Sequence, residues 1–118
     1  MTVAVRIFTY SALITAPVSA SSGRLATDSV AQLKQPYLDK EQLSATTGSA
    51  VNSSASISDN SSTRLLWVQV APGGTVHYEF TPANQTLVEA TTGSPYVSGD
   101  QLFQFGPNWR ISFLEFSG

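Results

Sequence analysis

The clearest pattern near the start of the chain is an alternation of apolar and polar residues with the two-residue period of a β-strand. Residues 2–10 place Val3, Val5 and Ile7 on one side of the chain, and the segment is rich in residue types that favour strands. This pattern predicts a β-strand at the N-terminal end of the sequence.

Two segments in the second half of the chain alternate in the same way and lie close together. Residues 64–71 and residues 75–81 each place three large apolar side chains on one face, namely Leu66, Val68 and Val70 in the first, and Val76, Tyr78 and Phe80 in the second. The link between them contains Gly73 and Gly74, and glycine adopts the positive φ angles that tight hairpin turns need. We therefore predict a β-hairpin, in which Trp67 lies on the face opposite to Leu66.

Shorter apolar runs predict three more strands, over residues 87–90, 101–105 and 109–116. The last run is apolar on both faces, so it should lie in the centre of a sheet or contact another chain. Turn residues recur about every ten residues, a spacing typical of an antiparallel sandwich or small barrel.

The remaining segments carry weaker patterns. Residues 29–34 predict a short helix, which Thr27 and Asp28 could cap and Pro36 would limit. Residues 39–43 predict a second helical or turn segment. Small polar residues dominate residues 45–63, and their pattern leaves open both a flexible loop and a pair of narrow strands.

Taken together, the patterns predict a mainly β protein. We expect a small antiparallel β-sandwich or barrel of the jelly-roll kind, with an extended N-terminal arm and at most one short helix. The predicted division places the arm, with its strand and short helix, in residues 1–44 and the antiparallel β domain in residues 45–118.

The predicted arm holds too few apolar residues to form a core of its own, so we expect it to lie on another protein. The candidate interface residues are apolar side chains of the arm, together with apolar side chains of the β domain that its predicted core face does not contain. They are Val3, Val5, Ile7, Phe8, Tyr10, Trp67, Leu114 and Phe116. On this interpretation, removal of residues 1–22 leaves a folded β domain that no longer binds its partner.

Composition narrows the classes of function. Only 12% of the residues are charged and the formal net charge is −2, so the chain offers no broad attraction to nucleic acid or to an anionic membrane. The chain has no cysteine and a single histidine, His77, which excludes disulfides and thiolate metal sites. We expect no enzymatic activity, no cofactor and no bound metal.

His77 and Glu79 lie two residues apart on one face of a predicted strand, near Trp67 across the expected hairpin. A catalytic or metal site would need further ligands or a nucleophile, and no second histidine or cysteine exists to supply them. We interpret the two residues as an outward polar pair. Exposed aromatic residues such as Trp67, Tyr78 or Tyr96 could stack on a sugar ring, but packing is the more frequent role of such residues.

The first 20 residues also imitate a secretory signal, because an apolar run follows Arg6 and ends at the small residues Val18, Ser19 and Ala20. Polar residues interrupt the run, so we favour the strand over a signal peptide. The run is also shorter than the roughly 20 apolar residues of a membrane-spanning helix, and we expect no contact with a membrane.

The chain resembles the small virion proteins of tailed bacteriophages, in particular capsid decoration (cement) proteins. The features that carry the resemblance are the cysteine-free composition rich in Ser and Thr, the extended segment through Ser22, the predicted hairpin over residues 65–80, and the compact ending over residues 105–116. The resemblance implies a β-sandwich or barrel, frequently a trimer, at the capsid surface where several major capsid subunits meet. It also implies that the arm braces neighbouring subunits.

Two other functions remain open at this point. The chain could occupy another structural place in the same particle, such as the tail, the neck or a fibre attachment. From a different class, it could be a secreted carbohydrate-binding or adhesin module with a β-sandwich fold.

Overall fold

The strands of this molecule form two antiparallel sheets and a separate two-stranded ribbon. The computed structural model describes residues 2–17 and 29–117. Within these ranges the strands are β1 (Val3–Tyr10), β2 (Leu13–Pro17), β3 (Ser29–Leu33), β4 (Lys40–Ala45), β5 (Val51–Asn52), β6 (Leu65–Val70), β7 (Thr75–Thr81), β8 (Tyr96–Ser98), β9 (Asp100–Gln104) and β10 (Arg110–Glu115). A single 3-10 turn over Ala55–Ser58 is the helical segment of these ranges.

The two sheets pack face to face as a β-sandwich. Sheet I has the strand order β4-β1-β6-β9 and sheet II has the order β5-β10-β7-β8. Every paired strand in both sheets is antiparallel to its neighbour. The predicted mainly β fold, a small antiparallel sandwich, is therefore confirmed.

The core lies between the sheets and consists of the side chains that the two-residue period places inward. β1 and β6 supply it from sheet I, and β7 and β10 supply it from sheet II. Its buried apolar members are Val3, Val5, Ile7, Ala45, Ile57, Leu66, Val68, Val70, Val76, Val97, Phe105, Ile111 and Phe113.

The strand β10 is central in sheet II, between β5 and β7. Its apolar residues on both faces are buried, as the sequence predicted for a central strand: Ile111 and Phe113 face the core, and Leu114 faces outward with only 8% of its surface exposed. The segment between β7 and β8 crosses this outward side, where the Ala90 amide donates a hydrogen bond to Ser112 Oγ at 2.9 Å.

The predicted hairpin between β6 and β7 is wrong, although both strands exist. β6 pairs with β1 and β9 in sheet I, whereas β7 pairs with β10 and β8 in sheet II. The Gly74 amide donates to the Ala71 carbonyl at 3.0 Å, and Gly73 has φ of 80°. A turn with Pro72 first and a positive φ second is of type II, which does not match the twist of a two-residue hairpin. The chain therefore crosses from one sheet to the other at this turn.

Three other predictions for short segments are also corrected. In the predicted segment 29–34, residues 29–33 form strand β3, and in the segment 39–43, residues 40–43 lie in strand β4, so neither segment is helical. Both strands pair along their length with another strand, which overrides a weak helical pattern. Residues 87–90 form no strand but cross the outside of sheet II. Residues 45–63, left open between loop and strand pair, contain the short β5 and the 3-10 turn.

The N-terminal region is part of the sandwich rather than an arm. β1 lies between β4 and β6, and Val5 and Ile7 are fully buried. A shorter element leaves the sandwich instead: β2 and β3 pair with each other and, among the described residues, with no other strand. The Lys34 amide donates to the Ala12 carbonyl at 2.9 Å and closes the base of this ribbon. The predicted helix cap at Thr27 and Asp28 and the residues Val18 to Ala20 lie outside the described residues.

The molecule is elongated, and the ribbon is the part of its described strands that pairs with neither sheet. The dimensions are 56 × 33 × 20 Å and the Cα radius of gyration is 16.4 Å, against about 13.5 Å for a compact chain of this length. Leu13 and Ile14 at the start of the ribbon are 48% and 43% exposed. The fold therefore presents two surfaces to a partner, the faces of the sandwich and the ribbon.

Candidate binding face

The side of sheet I that faces away from the core, called here the outer face, carries a row of apolar side chains on β1, β6 and β9, and Tyr37 extends the row from the segment before β4. The strand register places Phe8 opposite Trp67, and Trp67 opposite Leu102. We call the side chains of Tyr37, Phe8, Trp67 and Leu102 the apolar row. The ring centroids of Phe8 and Tyr37 are 5.3 Å apart in an edge-on contact, and those of Phe8 and Trp67 are 6.4 Å apart.

This apolar row is open to solvent at both ends. Tyr37 and Leu102 are 38% and 39% exposed, while Phe8 and Trp67 between them are half-buried. Lys40 pairs with Phe8 in the register, and its Nζ lies 5.8 Å from the centroid of the Tyr37 ring, within the range of a cation–π contact. Aromatic side chains that stay accessible on a sheet are suited to binding by stacking and by burial.

A polar row lies beside the apolar row. The register aligns Gln42, Arg6, Gln69 and Asp100 across β4, β1, β6 and β9. Arg6 and Asp100, both exposed, stand on either side of Gln69 and give the row one positive and one negative charge. The guanidinium, amide and carboxylate groups together offer both donors and acceptors of hydrogen bonds.

Two shallow depressions follow this polar row. One has a volume of about 350 Å³ and is lined by Arg6, Gln69, Ala71 and Asp100, among others. The second has a volume of about 310 Å³ and includes Arg6 again, together with Phe8 and Gln42. Because Arg6 lines both depressions, the two lie next to each other on one face.

The outside of sheet II is arranged differently, because the segment between β7 and β8 folds over it. His77 is only 4% exposed, and its Nδ1 donates a hydrogen bond to the Ser94 carbonyl at 2.8 Å. The Ser94 hydroxyl donates to Glu79 Oε1 at 3.1 Å. The predicted outward polar pair is therefore wrong for His77, which is buried beneath a segment whose path the sequence does not indicate.

The expected neighbourhood of His77 and Trp67 is also corrected. With β6 and β7 in different sheets, the two side chains lie on opposite outer sides of the sandwich. His77 contacts Phe116 and Tyr96 instead, with ring centroids 5.1 and 6.1 Å apart. Tyr96 is 63% exposed, so the cluster presents a second, smaller aromatic surface.

The predicted interface residues separate into three groups. Val3, Val5, Ile7 and Tyr10 are buried in the chain's own interior, and Leu114 is buried on the outer side of sheet II, so these five are corrected as interface residues. They were misassigned because a sequence does not reveal whether an alternating strand covers its own core or a partner. The fold brings Phe8 and Trp67 together on the outer face and leaves Phe116 in the small cluster with His77.

Sequence reasoning missed the rest of the outer face, namely Tyr37, Leu102 and the polar row. The alternation in β9 does place Leu102 on the face opposite to that of Phe103, and this would have marked Leu102 as solvent-facing. Tyr78, suggested as an exposed aromatic, faces inward and packs against Phe103 at a centroid distance of 4.9 Å.

Within residues 2–17 and 29–117, no three His, Asp or Glu side chains come together as a possible metal site. In the same part of the chain, no helix has the length and apolar character that would let it cross a membrane.

No protein-family model, curated protein or solved structure matches this chain.

Proposed function

We propose that this protein is a structural virion protein that binds an assembled capsid shell as a decoration or cement protein. The observation that carries the proposal is the outer face of sheet I, where an apolar row and a polar row lie side by side and open to solvent. An apolar centre flanked by polar groups is the usual anatomy of a protein–protein interface. Its partner on this proposal is the major capsid protein.

The ribbon of β2 and β3 takes the role that the sequence assigned to a longer arm. It extends from the sandwich and carries Leu13 and Ile14 exposed at its base, so it can reach a second subunit while the outer face binds the first. A protein that binds only the assembled shell stabilises that shell by mass action, and the effect adds up over many copies.

Cosedimentation of the purified protein with shells of the major capsid protein from the same virus tests the proposal. Trp67→Ala should weaken shell binding about tenfold or more, because Trp67 lies at the centre of the apolar row. Tyr96→Ala is the matched control, since Tyr96 is an exposed aromatic residue on the opposite side of the sandwich, and it should change binding by less than about twofold. Equal loss in both variants, or no binding by the wild-type protein, refutes the proposal.

A second variant tests the ribbon. Because Ala12 and Lys34 are joined by a backbone hydrogen bond, residues 13–33 can be replaced by an Asn-Gly turn without changing the strands of either sheet. We expect this variant to melt cooperatively and to bind shells more weakly than the wild-type protein. Full-strength binding would remove the ribbon from the proposal and leave the outer face as the only contact.

One specific observation favours carbohydrate binding as a second candidate function. Trp67 adjoins Gln69, with Arg6 and Asp100 on either side above a depression of about 350 Å³. An aromatic ring beside convergent polar groups is suited to sugar binding. Binding on a glycan array that Trp67→Ala and Asp100→Asn abolish and Tyr96→Ala preserves would favour this candidate over shell binding.

A further inference from the structure

The strand β9 forms one edge of sheet I, and half of its backbone groups are free to pair. The Phe105 amide donates to the Arg64 carbonyl at 2.9 Å, and the Val70 amide donates to the Gly99 carbonyl at 3.1 Å. In an antiparallel ladder the backbone groups of alternate residues point to the same side. The odd-numbered residues of β9 therefore face β6, and the even-numbered ones face away from it.

Three residues therefore direct both their N–H and their C=O to the side of β9 that has no neighbouring strand: Asp100, Leu102 and Gln104. β9 is the last strand of sheet I and these three side chains are exposed, so no other strand in the described part of the chain pairs with this edge. A row of free donors and acceptors on a sheet edge is a template for another strand.

The two edges of sheet I differ in how they are protected. The opposite edge strand, β4, carries Lys40 and Glu41, and charged side chains are a usual protection against edge pairing. β9 has one charge, Asp100, at its first position, and no proline. Its middle residue is Leu102, an aliphatic side chain 39% exposed at the end of the apolar row.

We propose that β9 pairs antiparallel with β9 of a second copy of this chain, about a two-fold axis that passes midway between the two Leu102 residues. This register places Asp100 of each copy opposite Gln104 of the other, and Leu102 opposite Leu102. All three residues with free backbone groups then form hydrogen-bonded pairs, which satisfies every free group on both edges. The register also places each Asp100 carboxylate opposite the neutral amide of Gln104 in the other copy, and it keeps the two carboxylates at opposite ends of the contact.

The pairing creates one continuous eight-stranded sheet from two copies of sheet I. The two apolar rows meet end to end at the paired Leu102 side chains, so the binding face doubles in length without a change in either protomer. The role of the doubled face rests on the proposed function, because a homo-oligomer offers a shell two linked contacts in place of one. The pairing itself requires only this chain.

Sedimentation equilibrium of the purified protein alone tests the inference. The wild-type protein should sediment at twice the monomer mass. Leu102→Lys and Leu102→Glu should each weaken self-association by at least about tenfold, because like charges then meet at the two-fold axis. An equimolar mixture of the two variants should regain the dimer, since opposite charges face each other in the mixed pair. Val88→Lys is the matched control and should remain dimeric, because Val88 is 48% exposed outside both sheets.

Disulfide trapping locates the axis. The chain has no cysteine, so Leu102→Cys introduces the only thiol, and the expected Cα separation of about 5.5 Å in a hydrogen-bonded pair is within disulfide range. Oxidation should give a covalent dimer from Leu102→Cys and little from Val88→Cys.

A monomeric wild-type protein, a three-fold trimer, or a mixture of the charged variants that stays monomeric would each overturn the inference. Shell binding by a wild-type protein that proves to be monomeric or trimeric would leave the proposed function standing. Conversely, a dimer that binds no shell would refute the proposed function and leave the β9 pairing intact.

Discussion

Neighbouring residues on β1 have opposite environments, and this difference decides what each can do. Ile7 is fully buried between the sheets, whereas Phe8 lies on the outer face beside Trp67. Parity along the strand predicted that the two would face opposite sides. It could not predict that Ile7 covers the chain's own core, because that depends on a second sheet formed by distant residues.

Substitution of Ile7 tests its place in the core. We expect Ile7→Ala to lower the free energy of unfolding by about 2–5 kcal/mol, the range for removing a large aliphatic side chain from a packed interior. Urea denaturation followed by Trp fluorescence measures the change. The matched control is Ile14→Ala on the exposed ribbon, which should cost less than about 0.5 kcal/mol. A small cost for Ile7→Ala together with lost partner binding would return Ile7 to an interface.

Gly73 is the residue on which the crossing between the sheets depends. Its φ of 80° lies in the region that side chains with a Cβ disfavour, so Gly73→Ala should destabilise the fold by about 1–2 kcal/mol. Gly48→Ala is the control, because a Cβ at Gly48 meets no atom within 4 Å and its φ lies outside that region. Thermal melts of both variants should show a lower midpoint for Gly73→Ala alone.

At the scale of elements, β1 and the ribbon of β2 and β3 have different roles although they are adjacent in sequence. β1 pairs on both sides within sheet I, whereas the ribbon pairs only with itself among the described residues. Deletion of residues 1–22 should therefore unfold the protein, contrary to the expectation from sequence. Replacement of residues 13–33 by Asn-Gly should retain the fold. Circular dichroism melts measure both outcomes, and a cooperative transition in the deletion variant would show that β1 is dispensable.

Strands with a clear alternation were predictable, and their partners were not. β1, β6 and β7 each carry three large apolar residues at the right spacing and β10 carries two, Ile111 and Phe113, so their existence and inward faces followed from local pattern. The pairing of β6 with β1 joins residues about 60 apart, and no local signal specifies it. Proline at Pro72 was the available warning against a hairpin, because it excludes the positive φ that hairpin turns need at that position.

The short strands were not predicted from the sequence, for a related reason. β3 and β4 contain Gln, Lys, Ser and Ala, which have no strong preference for strands, and only pairing with a neighbour makes them extended. β8 has three residues between turn segments, too few for a two-residue period to be recognised. Weak local preference leaves the outcome to tertiary contacts in each case.

For the molecule as a whole, the candidate site is a product of register rather than of any motif. Arg6, Gln69 and Asp100 come from three strands and become neighbours only because sheet I aligns them. Of the site residues, the sequence analysis named Phe8 and Trp67, because their positions alternate with those of the core residues Ile7 and Leu66 along β1 and β6. A one-residue slip of β6 would turn Trp67 inward and remove the site, so the binding face and the core are specified by the same pairing.

The elongated shape is a property of the whole molecule that small-angle X-ray scattering can test. In the monomeric Leu102→Lys background we expect a radius of gyration near the 16.4 Å of the structure. Replacement of residues 13–33 by Asn-Gly in that background should lower it to about 13 Å, the value for a compact chain of the shortened length. The reason is that, among the described residues, β2 and β3 pair with neither sheet, so the replacement removes an element that lies outside the sandwich. A radius of about 13.5 Å already in the Leu102→Lys background, the value for a compact chain of full length, would mean that the ribbon folds back onto the sandwich in solution, where it could not reach a second subunit.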